Sequence, residues 1–500
     1  LQSNVVTWND SFGKHNVSAL GGTEVIHRKV RSSSVEGRLF PSDDFTYITS
    51  AGIVDQGSSF ISENSLLSFL SEGKYDYEGK YFFSGTFRVD GSSRFGQGRR
   101  FGYFPSASAG WRISSESFME KYTFVDEMKL RMSFGYTGNE RIGNFGYFGT
   151  WSASTYSGAS GTGPEGVGNP ELQWERTREG NVGLDISFFT GKIQVTLDAY
   201  DNFTDNLLLD RQLPYTTGFA SVTGNIGNVS NRGIEMNLST VNLDDKLKWR
   251  TSFNLSRNVN KVVSLADTLP IYRGYGASGA SATSVVQVGQ PLGTFWGLEF
   301  LGVDPATGDA IYSDINGDGT INDDDATVLG NAQPFFIGGL TNTFAYRDFD
   351  LNIFFQFSYG NKLLNFSNTA LVNTGEDIEN NQSVIALKRW RDPGDIASVP
   401  RYELGNTYNN RHSSRFIEDG SYLRIKNISL GYNVPLKWIT KLHLKGVRVY
   451  ASATNLLTLT NYSGGDPEVS TLDGSTSAQG TDLFTLPQVR TLMMGVRFKL

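Results

Sequence analysis

Apolar and polar residues alternate with a period of two along many short stretches of this chain. In the segment KIQVTLDAYDN, apolar Val195 and Leu197 alternate with polar Gln194, Thr196 and Asp198. Successive side chains of a β-strand point to opposite faces, so this pattern predicts a strand with one apolar and one polar face. The segments YFFSGTFRVD, GIEMNLS, DLNIFFQFS and GVRVYASAT repeat it.

The alternation predicts about 14 or 15 strands along the chain. They are expected at residues 2–11, 15–31, 64–78, 80–92, 103–115, 128–138, 173–189, 191–210, 229–243, 247–264, 335–346, 349–362, 422–433, 446–458 and 487–499. The segment YLRIKNISLGY changes phase, because Leu423 and Ile425 are odd-numbered whereas Ile428 and Leu430 are even-numbered. A β-bulge near Lys426–Asn427 would restore the alternation.

The connections between the predicted strands are of two kinds. Short polar turns are expected at Glu78–Gly79, Thr190–Gly191, Asp244–Asp245 and Arg347–Asp348. Long connections rich in Gly, Ser and Asn span residues 138–170, 265–288 and 363–421. Short turns at one end of the strands and long loops at the other are typical of outer-membrane barrels. We therefore predict an all-β fold, a transmembrane antiparallel β-barrel.

Alternating strands also build soluble sandwiches and propellers. Here the apolar face is rich in aliphatic and aromatic residues on many strands, while the opposite face is polar and does not form a second core. A sandwich would show no systematic difference between its two sets of loops, and the blade period of about 40 residues that marks a propeller is absent. These observations favour the membrane barrel.

The composition narrows the possible functions. Charged residues make up 19% of the chain and the net charge is −7 without a basic run, so we expect no nucleic-acid partner. The chain has no cysteine, which excludes disulfides, thiolate metal sites and cysteine nucleophiles. No stretch approaches the 20 or so apolar residues of a membrane-spanning helix, but a transmembrane strand needs only about 9–11 residues. The chain begins LQSNVV, and we expect it to be a mature protein or a fragment.

The segment DINGDGTINDDD has the spacing of a calcium loop. Gly319 stands at position 6, where such a loop turns sharply. The expected ligands are the side chains of Asp314, Asn316, Asp318 and Asp325, the backbone carbonyl of Thr320, and Asn322 directly or through water. Three carboxylates and several neutral oxygens suit Ca²⁺, which prefers about 6–8 oxygen ligands.

The flanks of this loop indicate which role a bound metal would have. They alternate like strands and do not form the helices of an EF-hand, so we expect a structural Ca²⁺ in a long connection and not a calcium sensor. The alternative is an Asp/Asn/Gly-rich turn without metal. Position 12 is Asp325, which is shorter than the usual Glu and would weaken bidentate binding.

Catalysis has little support in the sequence. The four histidines are His15, His27, His412 and His443, and no HExxH, GxSxG or Walker pattern occurs. We therefore predict no enzyme activity and no catalytic residue.

The polar strand face offers candidate contacts for other molecules. It carries, among others, Arg88, Asp90, Asp198, Tyr200, Glu235, Arg250 and Arg448. We expect each of these to hydrate or brace the interior more often than to contact cargo. Four tryptophans, Trp111, Trp174, Trp249 and Trp438, are expected first in an interfacial belt and second as sugar-stacking platforms.

Several longer segments resemble a known family. They include YFFSGTFRVDGSSRFGQGRRFGYFPSASAGWRISSESFM, NPELQWERTREGNVGLDISFFTGKIQVTLDAYDNFTDNLLL, GNVSNRGIEMNLS, RWRDPGDIASVPR, FIEDGSYLRIKNISLGYNVP and ASATNLLTLTNYSGGDPE. Together with the segment from GQPLGTFWGLEF through the calcium-type loop, they resemble the SusC/RagA-type TonB-dependent transporters of the Bacteroidetes outer membrane. The resemblance covers nearly the whole chain in the family's order.

The resemblance implies a plugged barrel of about 22 strands. Residues 1–500 would be its C-terminal portion, with the N-terminal plug, the TonB-contacting box and the early strands absent from this sequence. The last segment, LMMGVRFKL, alternates as a barrel's final strand should, although it ends on Leu500 and not on an aromatic residue.

The function implied is TonB-dependent import of bulky nutrients, oligosaccharides or peptides, across the outer membrane. The implied partners are a SusD-like surface lipoprotein over the long loops, the TonB complex, membrane lipid and the cargo. Three alternatives remain open on the residues alone. The first is a structural or adhesion barrel of the outer membrane, and the second is a secreted calcium-dependent glycan-binding β protein. The third, which has the least support in the sequence, is an outer-membrane enzyme.

Overall fold

Fifteen long strands form one sheet in the computed structural model, which describes residues 1–266, 269–274, 282–376, 379, 381–439, 444–471 and 477–499. In sheet order the strands are β1 (Gln2–Phe12), β2 (His15–Arg38), β3 (Ile53–Tyr77), β4 (Tyr81–Ser92), β5 (Phe101–Arg112), β6 (Val125–Asn139), β9 (Glu175–Phe188), β10 (Ile193–Gln212), β11 (Ser221–Asp244), β12 (Leu247–Leu265), β19 (Phe336–Tyr346), β20 (Phe349–Tyr359), β23 (Tyr422–Asn433), β24 (Gly446–Thr460) and β26 (Thr491–Lys499). Each strand of this sheet therefore lies beside the next long strand of the chain, the order of an up-and-down meander.

Shorter elements occupy the long connections. β7 (Thr150–Tyr156) pairs with β8 (Ala159–Gly166), and β16 (Phe300–Val303) pairs with β17 (Ala310–Tyr312). A second small sheet contains β13 (Ile271–Arg273), β14 (Ser284–Val286), β15 (Thr294–Gly297) and β18 (Thr327–Asn331), and a third contains β21 (Lys362–Asn365), β22 (Ile417–Asp419) and β25 (Thr481–Asp482).

Among the described residues, helical structure is confined to elements of three to five residues. The α-helical turns are α1 (Ser367–Leu371) and α2 (Leu436–Ile439). The 3₁₀ turns are Ile48–Ser50, Ile113–Ser115, Ser117–Met119, Tyr215–Thr217, Asp323–Asp325, Val384–Lys388, Tyr408–Asn410 and Ser414–Phe416. Within the described residues, no helix has both the length and the hydropathy to cross a bilayer.

The contacts divide the chain into two compact units. The first comprises residues 1–110, 133–179 and 204–227, and its core is formed by Phe95, Phe104, Leu172 and Trp174. The second comprises residues 111–132, 180–203 and 228–500, and its buried clusters lie in the long connections.

The fifteen strands predicted from the alternation are all confirmed. Three are clearly longer than predicted. β11 begins at Ser221 and not at residue 229, and in the hairpin of β2 and β3, β2 continues to Arg38 and β3 begins at Ile53, well before the predicted residue 64. In this extension polar residues stand on both strands, as in Ser33 opposite Ser59 and Ser34 opposite Ser58. The two strands are joined there by backbone pairing and by the Arg38–Asp55 ion pair, neither of which produces an alternating pattern of apolar residues.

The predicted β-bulge is confirmed at Lys426. In the pairing of β20 with β23, Phe354 lies opposite Asn427 and Phe355 lies opposite Ile425, which leaves Lys426 without an opposite residue. The neighbouring strand β24 accommodates the shift at Asn455, which adopts a left-handed conformation with φ of 52°. Asn is one of the few residues that tolerate this conformation.

The predicted turn at Glu78–Gly79 has the geometry of a tight hairpin. Glu78 and Gly79 have φ of 54° and 64°, the two positive values that a type I′ hairpin turn requires. Glu78 also forms an ion pair with Lys14 of the neighbouring turn.

The apolar face of the strands is open to the surroundings. Phe83 and Phe87 are 51% and 48% exposed, and Leu197 and Val449 are 40% and 44% exposed. A soluble protein would bury such a surface against a second layer, because large exposed apolar areas promote association. The exposure therefore agrees with a face that contacts lipid.

We predict that Val195, Leu197, Phe355 and Val449 face lipid, whereas Gln194, Asp198, Asn352 and Arg448 face the interior. Arg substituted for a lipid-facing residue at mid-depth should destabilise the folded protein by about 2–4 kcal/mol. Single cysteines labelled with a nitroxide and probed with a membrane-soluble quencher measure the exposure. Shielding of Val195 and Leu197 together with quenching at Gln194 and Asp198 would show that the register is wrong.

Candidate functional site

The calcium-type loop joins β17 to β18 and is held by its own backbone. Asp314 accepts hydrogen bonds through Oδ1 from the amide of Gly317, at 2.7 Å, and through Oδ2 from the amide of Gly319, at 2.9 Å. Both glycines have positive φ, 73° and 79°, so they form the sharp turn that the spacing predicts.

Asp325 closes the loop and is completely buried. Its Oδ1 accepts from the amide of Ile315 at 2.9 Å, and its Oδ2 accepts from the amide of Asn322 at 2.9 Å. These backbone donors stabilise the carboxylate, with the Asn322 amide contributing most, and they hold the pKa of Asp325 below its ordinary value. The buried carboxylate of Asp325 therefore connects the beginning of the loop, at Ile315, with its last turn, at Asn322.

The remaining predicted ligands are oriented by the same kind of contact. The Oδ1 of Asp318 accepts from the amide of Thr320 at 2.7 Å, and the Oδ1 of Asn322 accepts from the amide of Asp324 at 2.7 Å. The Nδ2 of Asn316 donates to Asp318 at 3.1 Å. Among the described residues, no three His, Cys, Asp or Glu side chains are gathered to hold a metal ion. The structure therefore brings the six predicted residues into one loop without a preformed acidic metal site.

The calcium-type loop is attached to the long connection 363–421. Arg411 donates through Nη1 to the carbonyl of Ile321 at 2.7 Å, and Ile321 packs against the buried cluster of Leu298, Ala310 and Tyr312. Leu298 forms a parallel β-bridge with Ser413. The amide of Leu298 donates to the carbonyl of His412, and the amide of Ser414 donates to the carbonyl of Leu298. The two connections consequently fold against each other.

His412 lies at the centre of this junction. Its side chain is completely buried and its Nε2 lies 2.8 Å from the carbonyl oxygen of Trp296. Burial disfavours the charged imidazolium and lowers the pKa of His412 to about 4. The side chain is therefore a neutral packing element. His15 and His27 instead contact Tyr75 and Ser65, and His443 lies outside the described residues.

An ion cluster on the polar face of β23 fastens the connection between β24 and β26. Arg424 is only 1% exposed, and it donates to Thr458 at 2.9 Å, to Glu468 at 2.7 Å and to Asp466. Lys426, the bulge residue, donates to Glu468 at 3.0 Å. Two cations and two carboxylates therefore neutralise each other at one point of the wall.

The bulge explains how both cations reach that point. Tyr422 and Arg424 are even-numbered and lie on the polar face, whereas beyond the bulge Asn427 lies opposite Phe354 of that face. The extra residue places Lys426 beside Arg424, and then lets the strand continue with odd-numbered residues facing inward.

A cavity of about 1010 Å³ opens beside this cluster. Its wall comes from the long-loop ends of β12, β19, β20 and β23, and its rim comes from residues 467–470 and 479–480. Gln356 spans the floor, because its Nε2 lies 3.1 Å from both Tyr422 Oη and Glu468 Oε1. We regard this cavity as the candidate functional site.

Most of the other predicted polar-face residues contact polar side chains of the same face. Arg88 contacts Asp90 at 2.8 Å, and Arg448 donates to Asp350 at 2.7 Å. Asp198 shares Arg131 with Asp185, at 3.1 and 2.7 Å. Tyr200 donates to Asn258 at 3.1 Å, Glu235 accepts from Ser256 at 3.5 Å, and Arg250 is exposed. The expectation that they brace the interior fits these contacts.

The belt prediction is wrong for Trp174. This side chain is buried between Phe95 and Phe104 and donates to the carbonyl of Arg100 at 2.8 Å. Trp174 therefore belongs to a buried aromatic core and does not face the membrane interface. Trp111 donates to Glu116, Trp249 stacks on Phe344, and Trp438 is 61% exposed.

Sequence reasoning missed the ion cluster. Arg424, Asp466 and Glu468 lie in the segments YLRIKNISLGY and SGGDPE, both of which resemble the family, but the acids are more than 40 residues from the arginine. The change of phase at Lys426 was the one local signal in the sequence that the regular pairing of β23 is interrupted near Arg424.

Replacing Arg424 with Met should lower the free energy of unfolding by about 3–5 kcal/mol, because Asp466 would remain buried without its counter-charge. The double variant Arg424→Met, Asp466→Leu should recover part of that loss. Urea unfolding in detergent or lipid measures both. Arg490→Met, at an exposed residue, is the matched control. Equal stability of Arg424→Met and Arg490→Met would contradict the role given to the cluster.

Comparison with known proteins identifies the architecture. Residues 2–456 match the family described as "TonB dependent receptor-like, beta-barrel". The chain is 32% identical to TonB-dependent receptor P3 of Formosa agariphila and 30% identical to TonB-dependent receptor SusC of Bacteroides thetaiotaomicron. These alignments cover 100% and 98% of the chain, but 52% and 49% of the relatives, so the chain spans about half of their length.

A solved structure shows the same fold. The structure titled "Structure of the RagAB peptide transporter" superposes with a TM-score of 0.87 at 25% sequence identity, over 99% of this chain and 55% of that chain. The relatives are receptors and transporters by name. With a family match over residues 2–456 and a shared fold over nearly the whole length, this chain belongs to the TonB-dependent receptor β-barrel family of the outer membrane, with SusC-type receptors among its relatives.

Proposed function

We propose that the protein containing this chain imports bulky nutrients, oligosaccharides or peptides, across the outer membrane, and that TonB supplies the energy. The observation that carries the proposal is the superposition on the RagAB peptide transporter over 99% of the chain. The 30% identity to the SusC receptor supports it. The proposed activity is the binding and passage of cargo.

The chain supplies the wall and the long loops of this transporter. The polar face of the strands carries neutralised ion pairs, which suit a passage for large polar molecules. A secreted soluble β protein does not agree with membership of an outer-membrane family. A structural or adhesion barrel is the remaining alternative, and it would need neither TonB nor a cargo.

A SusD-like lipoprotein is the proposed partner at the long-loop end. The segment 384–404 presents apolar side chains to solvent, with Val384 80%, Leu387 64%, Ile396 99% and Leu404 70% exposed. Exposed apolar groups of this kind mark binding surfaces in folded proteins.

Substitution of Val384, Leu387, Ile396 and Leu404 by Ser should release the lipoprotein, because the apolar contact would be lost. Extraction of the full-length protein in mild detergent, followed by mass spectrometry, measures how much lipoprotein is recovered with it. The control is Leu436→Ser, Trp438→Ser, which removes exposed apolar groups at the short-turn end. Recovery of the unsubstituted barrel without any lipoprotein, under conditions that preserve other complexes, would contradict the proposal.

We also propose that the loop 314–325 binds one Ca²⁺ through Asp314, Asn316, Asp318, the carbonyl of Thr320, Asn322 and Asp325. The support is the spacing of the oxygens and the turn at Gly317 and Gly319. Each carboxylate oxygen that accepts one backbone amide keeps a second lone pair for an ion. Bound Ca²⁺ would stabilise the conformation of the loop that connects β17 to β18.

Asp314→Asn together with Asp318→Asn should abolish Ca²⁺ binding, because both remove negative charge at ligand positions. Titration calorimetry on the full-length protein should give a dissociation constant of about 10⁻⁴–10⁻³ M for the unsubstituted loop, the range of weak extracellular sites. The matched control is Asp323→Asn with Asp324→Asn, in the same loop but at positions 10 and 11. Equal losses in both variants, or no binding by the unsubstituted protein, would exclude the site.

A further inference from the structure

We propose that the outward face of the β2–β3 hairpin binds a phosphate group of the glycolipid in the outer leaflet of the outer membrane. Lys29 and Arg31 hold the phosphate, and the acyl chains lie on the apolar strand surface next to them. The inference rests on the transmembrane fold and needs no assumption about cargo.

The pairing of β2 with β3 places three basic side chains on one face. His27, Lys29 and Arg31 stand at alternate positions of β2, and all three are exposed. Because side chains alternate between the faces of a strand, they continue the outward face of Val25 and, on β3, of Phe69. Val25 and Phe69 are 44% and 47% exposed. The basic positions therefore follow directly on the lipid-facing surface.

The opposite face of the hairpin contacts another part of the chain. Asn64 donates to Asn144 at 3.3 Å, and Asn144 donates to Ser62 at 2.6 Å. Asn64 lies opposite Arg28 in the register, on the even-numbered face. That face turns toward the connection between β6 and β7, so the odd-numbered basic face turns toward the membrane side.

The length of the strands places the basic residues at the outer membrane surface. At the short-turn end the ring of His15 contacts Tyr75 and Tyr77, and Tyr77 stacks on Tyr81, as in the aromatic girdle of a barrel. From Tyr75 to Ser65, β3 advances by ten residues. At about 3.4 Å per residue and a tilt of about 40°, this step spans about 25 Å, the height of the apolar band. The two proposed cations stand about 5 and 10 Å farther out, and their long side chains reach back to the lipid head groups.

The charge of Arg31 is not neutralised by an acid of the protein. Among the described residues it forms no ion pair, and the residue opposite it is Ile61, which is 53% exposed. Lys29 pairs with Glu63, but both side chains are exposed, and such surface pairs contribute little to stability. The two cations are about 7 Å apart along the strand. A phosphate between them accepts from both, with the guanidinium of Arg31 able to donate two parallel hydrogen bonds.

The strand surface below the cations has room for acyl chains. Gly21, Gly73 and Gly85 lie on the outward face of three neighbouring strands, and Gly73 is directly opposite Gly85. At Gly21 and Gly73 an added Cβ would meet no atom within 4 Å, so the surface is open there. Phe69 and Phe87, both about half-exposed, stand on the same face. A recess among exposed rings suits hydrocarbon chains, which favours a lipid over a soluble anion as the occupant.

The experiment compares two lipids on the detergent-solubilised full-length protein by native mass spectrometry. The probes are bisphosphorylated lipid A and the same lipid without its phosphate groups. Each cation near a charged surface strengthens binding about fivefold, so two cations predict at least a tenfold preference for the phosphorylated lipid. The preference should shrink as the salt concentration rises, because salt screens exposed charges.

Arg31→Gln should weaken the binding of lipid A about fivefold, and Lys29→Gln combined with Arg31→Gln should remove the preference for the phosphorylated lipid. Arg28→Gln is the matched control, because Arg28 is exposed on the other face of the same strand. It should change the affinity less than twofold. The lipid without phosphate should bind all variants equally, which shows that the variants are folded.

Equal binding of the two lipids by the unsubstituted protein would overturn the site, as would equal effects of Arg31→Gln and Arg28→Gln. Inorganic phosphate is the third probe. Complete displacement of lipid A by inorganic phosphate would indicate a site for a soluble anion and would also overturn the proposal.

Discussion

The hydrogen bonding of the backbone is the constraint on which the rest of this structure depends. A bilayer offers no water to amide and carbonyl groups, so every strand that crosses it needs a paired neighbour. The fifteen long strands meet this demand by pairing with the next long strand in the chain. Their apolar side chains are then free to face lipid, and the polar side chains of the opposite face need polar partners or water.

The polar face satisfies that second demand mainly by neutralising its own charges. Arg88, Arg131, Arg424 and Arg448 each contact at least one carboxylate. Removing one partner of a buried ion pair strongly destabilises the folded protein. Because Arg424 is buried, its cluster holds the adjoining segments in one position. The connection between β24 and β26 is fastened there, and the cavity takes its shape from that attachment.

Much of this fold was predictable because its signal is local. Period-two alternation located all fifteen strands, and one change of phase located the bulge at Lys426. The polar extension of β2 and β3 had no such signal, because backbone pairing and the Arg38–Asp55 ion pair join its strands. Trp174 was misassigned because a buried and an interfacial tryptophan have similar sequence surroundings. The Arg424 cluster and the cavity depend on residues far apart in the chain, which only the register brings together.

The most direct test of this account is the lipid exposure along β23, measured with nitroxide labels on the full-length protein in bilayers. The account predicts quenching by a membrane-soluble reagent at Leu423 and Ile425 before the bulge and at Ile428 and Leu430 after it. Arg424, Asn427 and Ser429 should be protected on the polar face. Exposure that keeps a single odd or even phase through Lys426, or that is equal on both faces, would contradict the transmembrane register from which the site was derived.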